Sequence, residues 1–183
     1  MPRWVFLVTL VVLAALSRSL PHPQNVTPIG AIALFSGAAL GRGMLPLTIP
    51  FLCLIAGDAL VGFHILMPVV YACFAINVWL GRRMARRAPE GQVERIGLGS
   101  LAGTTLAGSI QFFLVTNLAN WWAFYPHDGA GLALCYANAL PLFGNTLLGD
   151  AFFVAVLFGS LAWAEGRFPI LRSAPVSGLP EQA

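Results

Sequence analysis

The sequence predicts an all-α integral membrane protein, a bundle of six transmembrane helices with both termini in the cytoplasm. Three observations lead there. Of 183 residues, 58% are hydrophobic and only 9% charged, with a mean hydropathy of +0.80. A soluble domain carries about a quarter charged residues, so too few are present to cover a soluble surface. The apolar residues gather in six runs, each approaching the ~20 residues that cross a ~30 Å hydrocarbon core. The basic residues concentrate in a single hydrophilic stretch, which is how membrane orientation is encoded.

The first run, 4–16, follows Arg3 and precedes Ser17-Arg18-Ser19. A short basic start, an apolar centre and small residues also describe a secretory signal. Because the other runs are equally short, this one is expected to stay in the mature protein as a helix. Runs two and three, 28–41 and 45–60, are separated by little more than Arg42 and Gly43 and read as a helical hairpin. Run four, 64–80, ends at Arg82, Arg83, Arg86, Arg87, Glu90, Glu94 and Arg95. Runs five and six, 97–118 and 140–163, flank an aromatic, glycine-containing stretch expected to be a loop. The chain divides into one membrane domain, 1–166, and a polar cytoplasmic tail, 167–183, with fraying expected from Glu165 onward.

Lysine and arginine in short loops stay on the cytoplasmic side, so the arginine stretch after run four is placed inside. Alternation then puts Arg3, Arg42, Arg167 and Arg172 inside as well. Arg18, at the outer end of run one, is the exception, and is either a ligand-binding residue or a headgroup anchor. The outer face collects most of the distinctive polar chemistry, in segments 17–28, 57–64 and 117–138. Pro21, Pro23 and Pro28 fix φ and remove donors, so the first of these segments reads as a stiff cap over the mouth of the bundle. Beneath it Arg18, His22, Asn25, Asn117, Trp121 and Tyr125 are expected to converge on a small molecule. Arginine would hold an anionic group bidentately, asparagine would supply directional hydrogen bonds, and the rings would stack on a flat ligand. The competing reading of Trp4, Trp121, Trp122 and Tyr125 is an interfacial aromatic belt.

Asn145 and Asp150 join the candidate ligand set because a charged side chain inside a span is costly and turns toward protein or a water-filled cavity. Asp58 raises the same question at the outer end of run three. For both aspartates the alternative is a hydrogen-bonded cross-link between helices. Small residues recur every four positions at Ala33, Gly37 and Gly41, and again at Gly99, Gly103 and Ala107, where helices can approach closely. Cys53, Cys73 and Cys135 lie in apolar surroundings and read as packing residues. His22, His64 and His127 have no second ligand at helical spacing, so no metal is expected. The composition offers no basic face for nucleic acid, no phosphate-binding glycine loop is present, and no cofactor is implied.

The string Arg18, Pro21-His22-Pro23, Asn25, Thr27-Pro28, Gly30-Ala31, Leu34-Phe35 and Gly37 continues downstream with Phe112-Phe113, Thr116-Asn117, Trp121, Tyr125-Pro126 and Gly131-Leu132. It ends in Cys135-Tyr136, Pro141, Phe143, Asn145 and Gly149-Asp150. This pattern resembles a family of uncharacterised prokaryotic membrane proteins assigned to transport. That family is similar in size and span number to the substrate-binding S components of energy-coupling-factor vitamin transporters. The resemblance implies an S-component-like six-helix bundle with an outward-facing site under the first external loop. It also implies an ATPase-containing energising module as partner. The Ala-xxx-Ala pair that S components use to dock is missing from run one, which leaves run two, through Gly37 and Gly41, as the docking face.

The function expected on these grounds is a membrane-embedded binding subunit for uptake of a vitamin- or metabolite-like molecule, without catalysis of its own. Two alternatives stand beside it: a structural or assembly protein whose outer loop binds another protein, and an intramembrane aspartyl protease using Asp58 and Asp150. The lipid bilayer is the expected surrounding in every case, in a prokaryotic cytoplasmic membrane.

Overall fold

The computed structural model describes residues 3–17, 21, 23–40, 43–88 and 93–171. Among these the regular structure is entirely helical. The helices are α1 (Arg3–Ser17), α2 (Ile29–Ala39), α3 (Leu45–Val61), α4 (Met67–Arg87), α5 (Leu98–Phe124) and α6 (Gly129–Arg167), with single 3₁₀ turns at Val93–Arg95 and Pro169–Leu171.

Two of the six, α5 and α6, are long and apolar enough to cross a membrane. Helices α1, α2 and α3 are apolar but have 15, 11 and 17 residues, short of the ~20 that a perpendicular crossing takes. At a rise of ~1.5 Å per residue the 39 residues of α6 extend for about 58 Å, close to twice the hydrocarbon thickness.

The expected outer loop 117–138 is the main correction. Helix α5 continues through Asn120 and the tryptophans to Phe124, and α6 has already begun at Gly129. Aromatic and amide side chains lower helix propensity only slightly, and no proline or glycine interrupts the chain between Leu118 and Tyr125. The true breakers are Pro126 and the Asp128 cap, whose carboxylate accepts from the Gly131 N–H at 2.7 Å. The run of Arg82 to Arg87 is likewise helical, forming the last turns of α4. The fraying expected from Glu165 onward is not seen through Leu171. Glu165 is buried, its carboxylate pairs with Arg3, and the same guanidinium donates to the carbonyl of Leu171, which is itself buried.

Helix α2 is the centre of the packing. All of it except Gly30 is buried, and its most extensive neighbour is α4. A Cβ on Gly37 would overlap the Val78 carbonyl, and one on Gly81 would overlap the Leu34 carbonyl, so each helix lends a glycine to the other's backbone. The close approach expected at Ala33 and Gly37 is therefore present and lies inside the chain. Gly41, its continuation, falls outside the described residues. The Gly37 surface expected to receive an energising module is occupied by α4.

Helix α1 buries Leu7, Val11 and Ala14, spaced so that they share one face. Helix α6 closes the other side with Val154, Leu157, Phe158 and Leu161, and the Phe158 ring meets Phe35 edge-on with centroids 5.2 Å apart. On α5 the expected small-residue stripe is not the packed one. Gly99 and Gly103 face open space, whereas Gly108 lies against Asn77 of α4.

Candidate functional site

Four helices and one loop bring polar groups together around Asp150. The loop comes first. Pro23 accepts from the Val26 N–H at 3.1 Å, closing a turn. Asn25, at the third position, has a φ of 64°. A left-handed third position is what a type II turn requires, and asparagine tolerates it better than most residues. The turn is fastened to α6, where the Asn145 amide donates to the Gln24 carbonyl at 2.9 Å. It lies so close that a Cβ at Gly149 would come within 3.1 Å of the Thr27 nitrogen. The 23–27 stretch thus lies across α6 at Asn145 and Gly149, while residues 18–20 and 22 of the expected cap lie outside the described residues.

Under this cap Asp150 is 7% exposed. One carboxylate oxygen accepts from the Ser109 hydroxyl of α5 at 2.6 Å. The other side of the carboxylate rests on Gly30 of α2, where a Cβ would overlap it. From α4, Asn77 is buried and accepts from the Gln111 amide at 3.2 Å, while the same Gln111 nitrogen donates to the Cys73 carbonyl at 3.0 Å. A cavity of about 80 Å³ opens here, lined by Asn25, Thr27, Gly30, Phe74, Asn77, Phe112, Thr146 and Asp150. A second void of about 10 Å³ continues from Gly30, Asn77 and Asp150 toward Thr104 and Thr105. Asp150 therefore stands between two small spaces whose walls supply hydroxyl and amide oxygens.

Of the candidate ligand residues, Asn25, Asn145 and Asp150 come together. Arg18 and His22 lie outside the described residues. Asn117, Trp121 and Tyr125 belong elsewhere. Ser109 marks the level of Asp150 on α5, and Asn117 and Trp121 lie about 12 and 18 Å further along that helix. Asn117 donates to the Phe113 carbonyl, and its own carbonyl accepts from Cys135. Trp121 donates to the Pro126 carbonyl at 2.9 Å, and Tyr125 accepts from Asn138 at 3.5 Å. Trp122 stacks on His127 with centroids 4.6 Å apart. These residues build the tip of the α5–α6 hairpin. Phe113 stacks on Phe143 and meets Tyr136 edge-on along the same hairpin.

Asp58 serves as a helix cross-link, accepting from the Tyr71 hydroxyl of α4 at 2.8 Å. Among the described residues no group of three or more His, Cys, Asp or Glu side chains could hold a metal ion. The residues missed in the sequence are Asn77, Ser109, Gln111 and Thr146. The signal was available for two of them: Asn77 and Gln111 are amides within apolar runs, where an unpartnered polar group is expensive.

A model of a family of unknown function, DUF6580, matches residues 1–171, and the chain belongs to that family. No curated protein and no solved structure matches it.

Proposed function

We propose that this DUF6580 member is a multi-pass protein of the prokaryotic cytoplasmic membrane that binds a small solute from the extracytoplasmic side as a component of uptake. The observation that supports this reading is the Asp150 carboxylate, buried where α2, α4, α5 and α6 meet, beneath a loop pinned to α6. Carboxylates at such depth are retained for contact with an ion, a proton or a solute. An ionised carboxylate only accepts hydrogen bonds, so the ligand it suits offers a positive charge or N–H donors. The cavity of about 80 Å³ is small beside the roughly 300–1,000 Å³ of sites that enclose drug-sized ligands. The vitamin-like ligand narrows accordingly to a small cation or amine.

The test uses the full-length protein in neutral detergent, with its unfolding midpoint followed as sodium, ammonium or methylammonium chloride is added. One of these cations should stabilise the wild type saturably. Asp150→Asn, which can still accept from Ser109, should fold and lose that response. Equal responses from wild type and variant would sink the proposal, as would stabilisation that follows ionic strength alone.

The six-span topology is part of the same proposal. Reporters fused after Arg87 and at the C-terminus should read cytoplasmic, and one inserted at His127 should read external. An external reading at Arg87 would reverse the side from which Asp150 is reached. Likeness to an S component is retained for the binding role alone, because Gly37 packs on Val78 and an energising module would need another face. The protease alternative gains little, since Asp58 and Asp150 are bonded to different partners, Tyr71 and Ser109. An assembly role draws on the α5–α6 tip, whose exposed Trp122 and Phe124 offer a surface to another protein.

A further inference from the structure

At the C-terminal end of α4 lies a cleft of about 480 Å³ lined by Trp79, Arg82, Arg83, Arg86 and Arg87. We propose that this cleft binds the phosphate headgroup of an anionic phospholipid. The reading is independent of the Asp150 site and rests on the proposed membrane residence and topology.

Spacing makes the cleft one surface. Arg82 and Arg86, and Arg83 and Arg87, are four residues apart, so the guanidinium groups stack in two adjacent rows on the last turns of the helix. Among the residues that line it there is no carboxylate. Two of the arginines are held in place. Arg82 donates to the Gly43 carbonyl of the loop between α2 and α3, and the Arg83 guanidinium lies 5.5 Å from the centroid of the Trp79 ring. Arg86 and Arg87 are exposed and complete the far wall. Planar guanidinium forks match phosphate oxygens bidentately, and several of them in one cleft can share the two non-bridging oxygens of a phosphodiester.

The choice of a lipid over a soluble phosphate comes from the other wall. Trp79 is 54% exposed, and Ile76, one turn earlier on α4, is 41% exposed. A phosphate seated among the arginines would leave its glycerol beside the indole and its acyl chains along the apolar outer face of α4. Tryptophan at the headgroup level next to a basic cluster on the cytoplasmic side is the arrangement by which bundles hold acidic lipids. The volume is also of the order that encloses a ligand larger than a bare ion.

The experiment takes the full-length protein, stripped of lipid in neutral detergent, and titrates it with dioleoyl phosphatidylglycerol, dioleoyl phosphatidylcholine or inorganic phosphate. Bound lipid is counted by native mass spectrometry and the unfolding midpoint is followed in parallel. Phosphatidylglycerol should bind at least about tenfold more tightly than phosphatidylcholine, and R83Q/R86Q/R87Q should remove most of that preference. Arg82 is left intact because it holds Gly43. Should the glutamine variant not fold, the corresponding triple lysine variant keeps the charge and loses the forks, and should still bind phosphatidylglycerol several-fold more weakly than wild type. Equal binding of the two lipids would overturn the proposal, as would wild-type affinity in the folded triple variant. Full competition by inorganic phosphate at matched concentration would also overturn it, by assigning the cleft to a soluble anion.

Discussion

Helices α2 and α5 are both without charge and both carry closely spaced glycine and alanine, yet they end in opposite surroundings. Helix α2 is enclosed but for Gly30, whereas α5 buries only Gly108 and Ser109. A helix that is apolar all round is either inside a protein or inside a bilayer, and hydropathy does not distinguish the two. Backbone contact does. Gly37 of α2 meets the Val78 carbonyl, whereas Gly103 of α5 meets nothing within 4 Å. The pair teaches that a small-residue stripe marks an opportunity for close approach, and only the neighbouring chain decides whether it is taken.

The sharpest way to break this comparison is to fill both glycines. Gly37→Leu should cost more than about 3 kcal/mol or prevent folding altogether, because its neighbour is backbone and has no rotamer with which to yield. Thermal unfolding of the full-length protein in detergent would show it, and a midpoint near that of wild type would mean that α2 and α4 are not in contact as described. Next in size is Arg3→Gln. It removes the guanidinium from the buried Glu165 and from the Leu171 carbonyl, and losing one partner of a buried pair costs about 3 kcal/mol. Adding Glu165→Gln should recover part of that loss, and a double variant worse than the sum of the singles would contradict the pairing.

Smaller effects belong to the exposed helices. Asp128→Ala removes the cap of α6 and should cost about 1 kcal/mol, read as an earlier loss of amide protection around Gly131 in hydrogen exchange. Unchanged protection there would mean that the turn after Tyr125 is held by the Trp121, Trp122 and His127 cluster instead. Smallest of all is Gly103→Leu, expected to lie within about 0.5 kcal/mol of wild type in detergent. A large destabilisation would place a neighbour, from this chain or another copy, where open space is now described.

Much of the fold was legible. The six apolar runs correspond to six helices, although the sixth begins at Gly129 and not at 140. The loop expected at 117–138 was misjudged because polarity and aromaticity were allowed to stand for a break, when only proline, glycine and a capping side chain break a helix. The site was legible in half. Asp150, Asn145 and Asn25 stood out as a charge in a span, an amide beside it and a residue of the proline cap. Trp121 and Tyr125 looked convergent with them only on the supposition that their segment folded back. As helix, that segment instead carries them away at ~1.5 Å per residue. Asn77, Ser109 and Gln111 were unreadable as partners because their meeting depends on how α4 and α5 rotate about Gly108, which no local pattern records.

The reciprocal glycines of α2 and α4 also limit how the molecule can open. With Gly37 seated on Val78 and Gly81 on Leu34, the two helices are keyed together at two points, and sliding one along the other would drive a carbonyl into a backbone at either key. They form a fixed wall. Any yielding near Asp150 then falls to the parts with fewer such keys: the 23–26 turn, held to α6 through Asn145 and Gln24, and α6 itself, whose internal Pro141 leaves one rung of its backbone ladder unmade four residues before Asn145. The molecule thus sets two interlocked helices, which cannot slide, against a turn that rests on α6 at Gly149 and is tied to it by the Asn145–Gln24 hydrogen bond.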